Sequence, residues 1–581
     1  MPKQPIVFVP GLGGSFNLLV LLDWSAPTLS GWDFPPFISY GRAFADTCVR
    51  AGYTRNRDLF VAFYDWRKSV VDSANNYLIP WIDRAKKLSG SDKVVLVAHS
   101  MGGLVSRSYI QSSAYRGDVE RLITLGTPHQ GSSDSYYPWQ AGEIQWGPVA
   151  DSVFNVYLWY LEHAHPFQTG LNRLRTVRTQ APGVRDLLPV FDYLQRKGAP
   201  GLTPCARLQQ RNLVGELLCG PAGAAQLLGR VSLTTINGKG FATVQSLVVD
   251  APPAATDDPP HYVDGRPVEK QTTGEGDGTV LLSSAVLADP RVRNLPPQPI
   301  VHDELPDKAV AQVLAELGVA APAPATVPVP ATQLVIMSAS PLELSVELPA
   351  QAPTRRVLSD GAPAPARPGR RIRAKNYGHA GKRLNMLIIP EPAASSYQVR
   401  LRGTETGTFA LGALLVGQLR PAVLSESAED GRATASAIST AHGQVAAETE
   451  LIYHVDYRAP GAAPEVRFDA DATAQNLLDR LGAVARTPQP RVLAEDGETA
   501  TAAAPRVLAE ADATDELREL VAAALLRGDA AAAQQLVARL RSADPQAIEL
   551  IVQLAEQVVG SQSRQLALGL LEQLRQIATS V

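Results

Sequence analysis

The chain has 581 residues, of which 45% are hydrophobic and 19% charged, and a formal net charge of -3. That length exceeds one ordinary core, so several domains are expected. The balanced charge leaves no basic footprint for nucleic acid, and no run approaches the roughly 20 apolar residues that span a bilayer.

At the N-terminus, Met1-Pro-Lys-Gln-Pro5 runs directly into an apolar strand, with no signal peptide visible. The three cysteines, Cys48, Cys205 and Cys219, leave one over, which suits a reducing compartment and favours a cytoplasmic location. A Cys205–Cys219 bridge is one reading of the pair, and two buried thiols the other. The strand Ile6–Val9 ends in Pro10-Gly-Leu-Gly-Gly-Ser15. This glycine-rich turn lacks both the P-loop ending and the dinucleotide spacing, so no nucleotide cofactor is expected. It fits instead a loop whose Leu12 amide donates to a developing oxyanion.

Residues 16–40 are apolar and aromatic but broken by Pro27, Pro35 and Pro36, so they predict an irregular segment that serves as a lid or as core. Leu59–Arg67 reads as a strand followed by a turn in which Asp65 and Arg67 brace a loop as an inexpensive surface pair. A helix is expected over about 71–88. The run Val94–Ala98 is β-branched and apolar, as a buried parallel strand requires, and a helix begins near Gly102. Ser100 lies at the turn between them. A nucleophile there has a strained backbone and needs small neighbours two residues away, and Ala98 and Gly102 supply them. The Met101 amide then opens the helix as a second oxyanion donor.

After another apolar strand at 121–125, the chain turns through Gly126-Thr-Pro-His-Gln-Gly131. The motifs Tyr64-Asp-Trp-Arg67, Ala98-His-Ser-Met-Gly-Gly103, Leu125–Gly131, Ile236-Asn-Gly-Lys-Gly240 and Gly274-Glu-Gly-Asp-Gly-Thr-Val280 stand in one order. Together they resemble the lecithin:cholesterol acyltransferase-like family of α/β-hydrolases over residues 5 to about 318. The resemblance implies an α/β fold, a helical cap at about 132–230 and a Ser-Asp-His order of catalytic residues. The chain departs from the secreted members in lacking a cysteine pair around the lid segment, which points to a microbial-type lipase or acyltransferase.

Asp277, between two glycines, is placed to accept a histidine Nδ1–H. A calcium loop would need more alternating oxygen ligands than Glu275 and Asp277 provide, so no metal is expected. His302, the only histidine between Asp277 and a proline-rich tract, reads as the general base at the end of an apolar strand. His99 and His129 read as packing neighbours. The expected chemistry is acyl transfer from a lipid ester at a membrane or micelle interface, by an O-acyltransferase or a lipase. The alternative is an inactive hydrolase fold that serves as a binding or surface-attachment protein.

The catalytic domain is expected to cover 1–318, followed by a Pro/Ala linker at 319–332. Alternating runs predict a β-sandwich-like domain at 333–458, with Gly403-Thr-Glu-Thr-Gly407 as a hairpin turn. Five basic residues, Arg367, Arg370, Arg371, Arg373 and Lys375, crowd one loop of it and read as a solvated surface. A flexible linker at 459–513 contains Pro-Arg-Val-Leu-Ala-Glu twice, and an amphipathic helical bundle is expected over 514–581.

Overall fold

In the computed structural model, residues 3–325 are described apart from 18–19, 22–27, 36–39, 146–153, 155–156, 159–160, 163–168, 171 and 254–257. Beyond them it describes 332–473 apart from 340, 350–355, 358–363, 366–370, 378–383, 417–437, 446, 448, 459–463 and 470–471, and residue 535. The helical segment expected over 514–581 and the repeated hexapeptide lie outside the described residues, as do Arg367 and Arg370 of the basic loop. Two units divide the chain, at Met1–Ala331 and Thr332–Val581.

The first unit is built on a six-stranded parallel sheet. Its strands are β1 (Ile6–Val9), β2 (Leu59–Val61), β3 (Val94–His99), β4 (Val119–Leu125), β6 (Ser232–Ile236) and β9 (Arg293–Asn294), in the order β2-β1-β3-β4-β6-β9. β5 (Leu194–Arg196), β7 (Thr243–Val249) and β8 (Pro267–Thr273) form a separate small sheet. All residues of β1 and β3 are buried, so both faces of the central sheet are covered. Successive side chains alternate between two cores. Val7, Val9, Leu96 and Ala98 pack against α2 (Ile79–Ser89) and α3 (Met101–Ile110). Ile6, Phe8, Val95 and Val97 pack against α1 (Arg42–Arg50) and α4 (Val310–Glu316). This is the α/β-hydrolase arrangement, with the Ser100 strand central in the sheet.

The helix expected over 71–88 runs from Val70 to Ser89, with a π turn at Ala74–Leu78 in its middle. Pro80 has no N–H for the preceding turn, which accounts for the irregularity just before it. Ser69 caps the start by accepting from the Asp72 amide, and Gly90, in the left-handed region, ends it. Residues 132–230 contribute helices at Tyr136–Ala141, Arg173–Gln180, Leu213–Cys219 and Pro221–Arg230.

The Asp65–Arg67 pair is not a surface brace. Arg67 is fully buried and Asp65 nearly so. Arg67 donates Nε and Nη2 to the two Asp65 carboxylate oxygens at 2.8 and 2.7 Å, and donates to the Val20 and Leu21 carbonyls at 2.9 Å each. Tyr157 donates to the same Leu21 carbonyl at 2.7 Å. The pair therefore ties the apolar segment and the cap to the sheet, and removing one partner would strand a buried charge at a cost of about 3–5 kcal/mol.

Two other carboxyls, the buried Asp186 and the half-buried Asp307, serve helix starts. Asp186 accepts from the Val70 amide at 2.8 Å, and Asp307 from the Phe44 amide near the start of α1 at 2.8 Å. Burial pushes each carboxyl up to about 6, against the lowering effect of those amides. The folded chain thus holds both protons more tightly than the unfolded chain, whose carboxyls titrate near about 4. Their contribution to stability is present below that pH and is lost as pH rises through 6. Asp186→Asn does not titrate and is expected to gain about 2 kcal/mol on the wild type between pH 4 and 7 in urea unfolding. A variant-minus-wild-type difference that does not change with pH would contradict the assignment.

The second unit contains two five-stranded antiparallel sheets sharing one apolar core. The strand Leu342–Glu347 alternates buried and half-buried residues, as its sequence predicts. Gly403–Gly407 is not a hairpin turn: the strand Ser395–Gly403 belongs to one sheet and Gly407–Val416 to the other. The loop is an arch between sheets, and Thr404 donates its amide to Pro341, at the neighbouring crossing, at 2.9 Å. Arg371 and Arg373 are exposed on an edge strand.

Candidate active site

Ser100 joins β3 to α3 with φ 51° and ψ −127°, a conformation that side chains other than glycine rarely adopt. Two contacts explain the glycines around it. A Cβ on Gly102 would run into the Val9 and Pro10 carbonyls, and one on Gly11 would lie 2.9 Å from both His99 Nδ1 and Ser100 Cβ. Glycine alone lets the helix start and the Pro10–Ser15 loop close on the same point. Met101 is the first residue of α3, so its amide is one of the four that find no acceptor within the helix, and the helix dipole adds to its pull on an anion.

Asp277 is held by its own loop. Its Oδ1 accepts from the Thr279 and Val280 amides at 3.1 and 2.7 Å, and its Oδ2 lies 2.8 Å from His302 Nδ1. Both Asp277 oxygens are thus engaged, and Glu275 in the same loop pairs with Lys239 at 2.8 Å. The His302 amide donates to the Asp277 carbonyl at 2.9 Å, so backbone and side chain are fixed by one residue. A carboxylate can only accept, so Nδ1 carries the proton and Nε2 is left as the acceptor. Ser100 Oγ lies 2.9 Å from that Nε2. Burial alone would lower the His302 pKa, but the Asp277 charge and hydrogen bond, with Asp303 behind them, raise it above the ordinary histidine value. The arrangement can therefore take the Ser100 proton and stabilise the imidazolium that results.

No strand runs directly into His302, since β9 ends at Asn294. His302 opens a 3₁₀ turn, His302–Glu304, after the run Pro296-Pro-Gln-Pro299. Those prolines remove the amides that a ladder needs, so the pairing of β9 with β6 stops after the Leu295 amide donates to the Thr235 carbonyl at 3.0 Å, and the chain returns to the sheet edge at the Gly238–Gln298 bridge. The structure brings Ser100, Asp277 and His302 together and sets the Leu12 loop and the Met101 helix start beside them.

His129 and Cys219 lie in another cluster. The buried Arg107 donates to His129 Nδ1 at 3.1 Å and to the Leu218 carbonyl at 2.5 Å. Cys219 Sγ contacts the His129 carbonyl at 2.8 Å. The three thiols are free, with Cys219 half-buried rather than buried. A second Ser-His-Asp chain occurs in the other unit, where His454 lies 2.9 Å from Ser396 and 2.7 Å from Asp469. Ser396 is the second residue of the strand Ser395–Gly403 and exposed, not set on a strand-to-helix turn as Ser100 is, so the triad chemistry alone does not make a site there.

Residues 39–153 match the family model described as "Lecithin:cholesterol acyltransferase". The matched segment carries the Tyr64–Arg67 turn, the Ser100 elbow and the Leu125–Gly131 turn, so the resemblance drawn from those motifs holds there. The human "Lysosomal phospholipase A and acyltransferase" is 30% identical over 153 residues, 26% of this chain and 35% of that protein. "Phospholipase A(1) LCAT3" of Arabidopsis thaliana is 32% identical over 114 residues, 19% of this chain and 26% of that protein. The chain thus spans about a quarter to a third of the length of these curated relatives. Among solved structures, the mature Bacillus licheniformis lipase BlEst2 aligns over 55% of this chain and 93% of its own at 20% identity, with a TM-score of only 0.28.

Proposed function

We propose that the first unit is a serine acyltransferase or lipase of the lecithin:cholesterol acyltransferase-like type, acting on lipid esters through Ser100, His302 and Asp277. The observation that carries this reading is the continuous hydrogen-bond chain from Ser100 Oγ through His302 to Asp277, beside the first amide of α3. His302 Nε2 takes the Ser100 proton as Oγ attacks the ester carbonyl, and the Leu12 and Met101 amides donate to the oxyanion. The imidazolium then protonates the departing alcohol, leaving an acyl-enzyme. Water or a second alcohol attacks the acyl carbon and gives its proton to His302, which passes a proton to Ser100 Oγ as the acyl–Oγ bond breaks, restoring the free serine. The same residues serve hydrolysis and transfer, and the acceptor decides between them.

The proposed substrate is a long-chain lipid ester presented at an interface. Leu12, Phe16, Trp32, Phe154 and Tyr157 are half-buried apolar side chains packed against the core on the side of the sheet that carries α3, with Trp66 edge-on to Phe154 and Tyr157, and they offer an acyl chain an apolar lining. Turnover is expected to rise sharply as the substrate passes from monomers to micelles or vesicles, with long acyl chains preferred to acetate. A flat response with acetate preferred would refute the lipid substrate and leave the serine chemistry standing. Mass spectrometry of the products from a phospholipid mixed with a long-chain alcohol distinguishes free fatty acid, the product of hydrolysis, from a new ester, the product of transfer.

A further inference from the structure

We infer that Tyr40 and His99 are positioning residues that strap the oxyanion loop to the backbone of His302. The inference rests on the acyl-transfer reading of Ser100. Neither side chain reaches a reacting atom, yet together they connect two parts that must hold their places while charge develops.

The protons along the strap are fixed by elementary chemistry. His99 Nε2 lies 3.0 Å from the His302 carbonyl, which can only accept, so Nε2 carries the proton. His99 Nδ1 is therefore an acceptor, and Tyr40 Oη, 2.8 Å away, donates to it. Having given its only proton, Tyr40 Oη accepts from the Gly11 amide at 2.7 Å. Gly11 immediately precedes Leu12, whose amide is the proposed oxyanion donor. The strap thus runs Gly11 N–H to Tyr40, Tyr40 O–H to His99, and His99 N–H to the His302 carbonyl.

Packing reinforces it. The Tyr40 ring lies so close to the loop that a Cβ on Gly14 would sit 2.5 Å from Tyr40 Cε1. The His99 and His302 rings have centroids 4.7 Å apart. All these groups are buried, so each polar atom in the strap depends on its partner, and loss of one bond leaves another group unsatisfied. Burial and the nearby His302 hold the His99 pKa well below its ordinary value, in keeping with the neutral ring that the strap requires. A charged His99 would have to donate at Nδ1, reversing the bond to Tyr40.

Misplacement of the loop by a fraction of an ångström weakens the transition state while leaving ground-state binding nearly intact. Tyr40→Phe and His99→Phe in the full chain are each expected to lower kcat by about 10–100-fold per site titrated with a fluorophosphonate, with KM within about twofold. Because the strap is one unit, the double variant is expected to lose no more than the worse single one. Singles within twofold of the wild type per titrated site would overturn the inference, and so would losses that multiply in the double variant. The wild type gives an independent check. ¹⁵N spectra of labelled histidine are expected to show His99 protonated at Nε2, and protonation at Nδ1 would overturn the strap whatever the kinetics. Ser100→Ala, assayed alongside, keeps the two readings apart. Activity in that variant refutes the serine mechanism, whereas an inert Ser100→Ala beside an unaffected Tyr40→Phe defeats the strap alone.

Discussion

His302→Ala is expected to lower ester turnover by about 10⁶-fold and Asp277→Asn by about 10⁴-fold, both leaving the first unit folded. His302 supplies the base that accepts the Ser100 proton over 2.9 Å, and Asp277 fixes which of its nitrogens is free to do so. An asparagine at 277 can present its N–H₂ to His302 Nδ1, which favours the wrong tautomer, with Nε2 protonated and unable to act as base. Both changes act on the transition state, so KM is expected to move far less than kcat.

The pH profile gives the same assignment a second reading. Only the neutral ring serves as base, so kcat/KM is expected to fall as pH drops through the His302 pKa, which lies above the ordinary histidine value. Burial opposes the imidazolium and the Asp277 charge favours it. Removing that charge in Asp277→Asn therefore moves the acid limb of the residual activity to lower pH. Near-normal turnover in Asp277→Asn, or an acid limb that stays where it was, would mean that another carboxylate orients the base.

The parts of this site legible in the sequence are those whose chemistry is contiguous in the chain. An apolar β-branched run, a serine and small residues at fixed offsets describe the elbow, because its strain and close packing are local. The glycines around Asp277 likewise announce a tight loop. What stayed hidden depends on partners far away in sequence. Asp65 and Arg67 look like any surface pair until the Val20 and Leu21 carbonyls arrive to complete the guanidinium's bonds. Tyr40 carries no pattern at all, since its meaning lies in the Gly11 amide, 29 residues back, and in His99, 59 residues ahead.

The same distinction explains the misjudged elements. Two strands joined by a three-residue loop read as a hairpin, because period-two patterning records which face is buried and not which sheet the strand joins. The sandwich core is filled from both sheets, so Gly403–Gly407 crosses between them instead. The apolar residues before His302 suggested a strand, but Pro296, Pro297 and Pro299 remove its donors. His302 reaches Ser100 from a loop, held there by Asp277 and by its carbonyl bond to His99.

Ser100→Ala is expected to lower turnover about as far as His302→Ala, to the rate left by binding and the oxyanion donors alone, a loss of about 10⁶-fold. The serine hydroxyl is the atom that forms the acyl-enzyme, and no neighbouring group in the site can replace it. The sharpest single test is labelling of the full-length chain with a fluorophosphonate, followed by peptide mass spectrometry to locate the adduct. One adduct per chain on Ser100 is predicted, with no labelling of Ser100→Ala and slow labelling of His302→Ala, whose hydroxyl has lost its base. Ser396, which also contacts a histidine but lies exposed within a strand rather than on a strand-to-helix turn, is predicted to stay unlabelled. Folded wild-type protein that takes no label, or that labels as well after Ser100→Ala, would contradict the account.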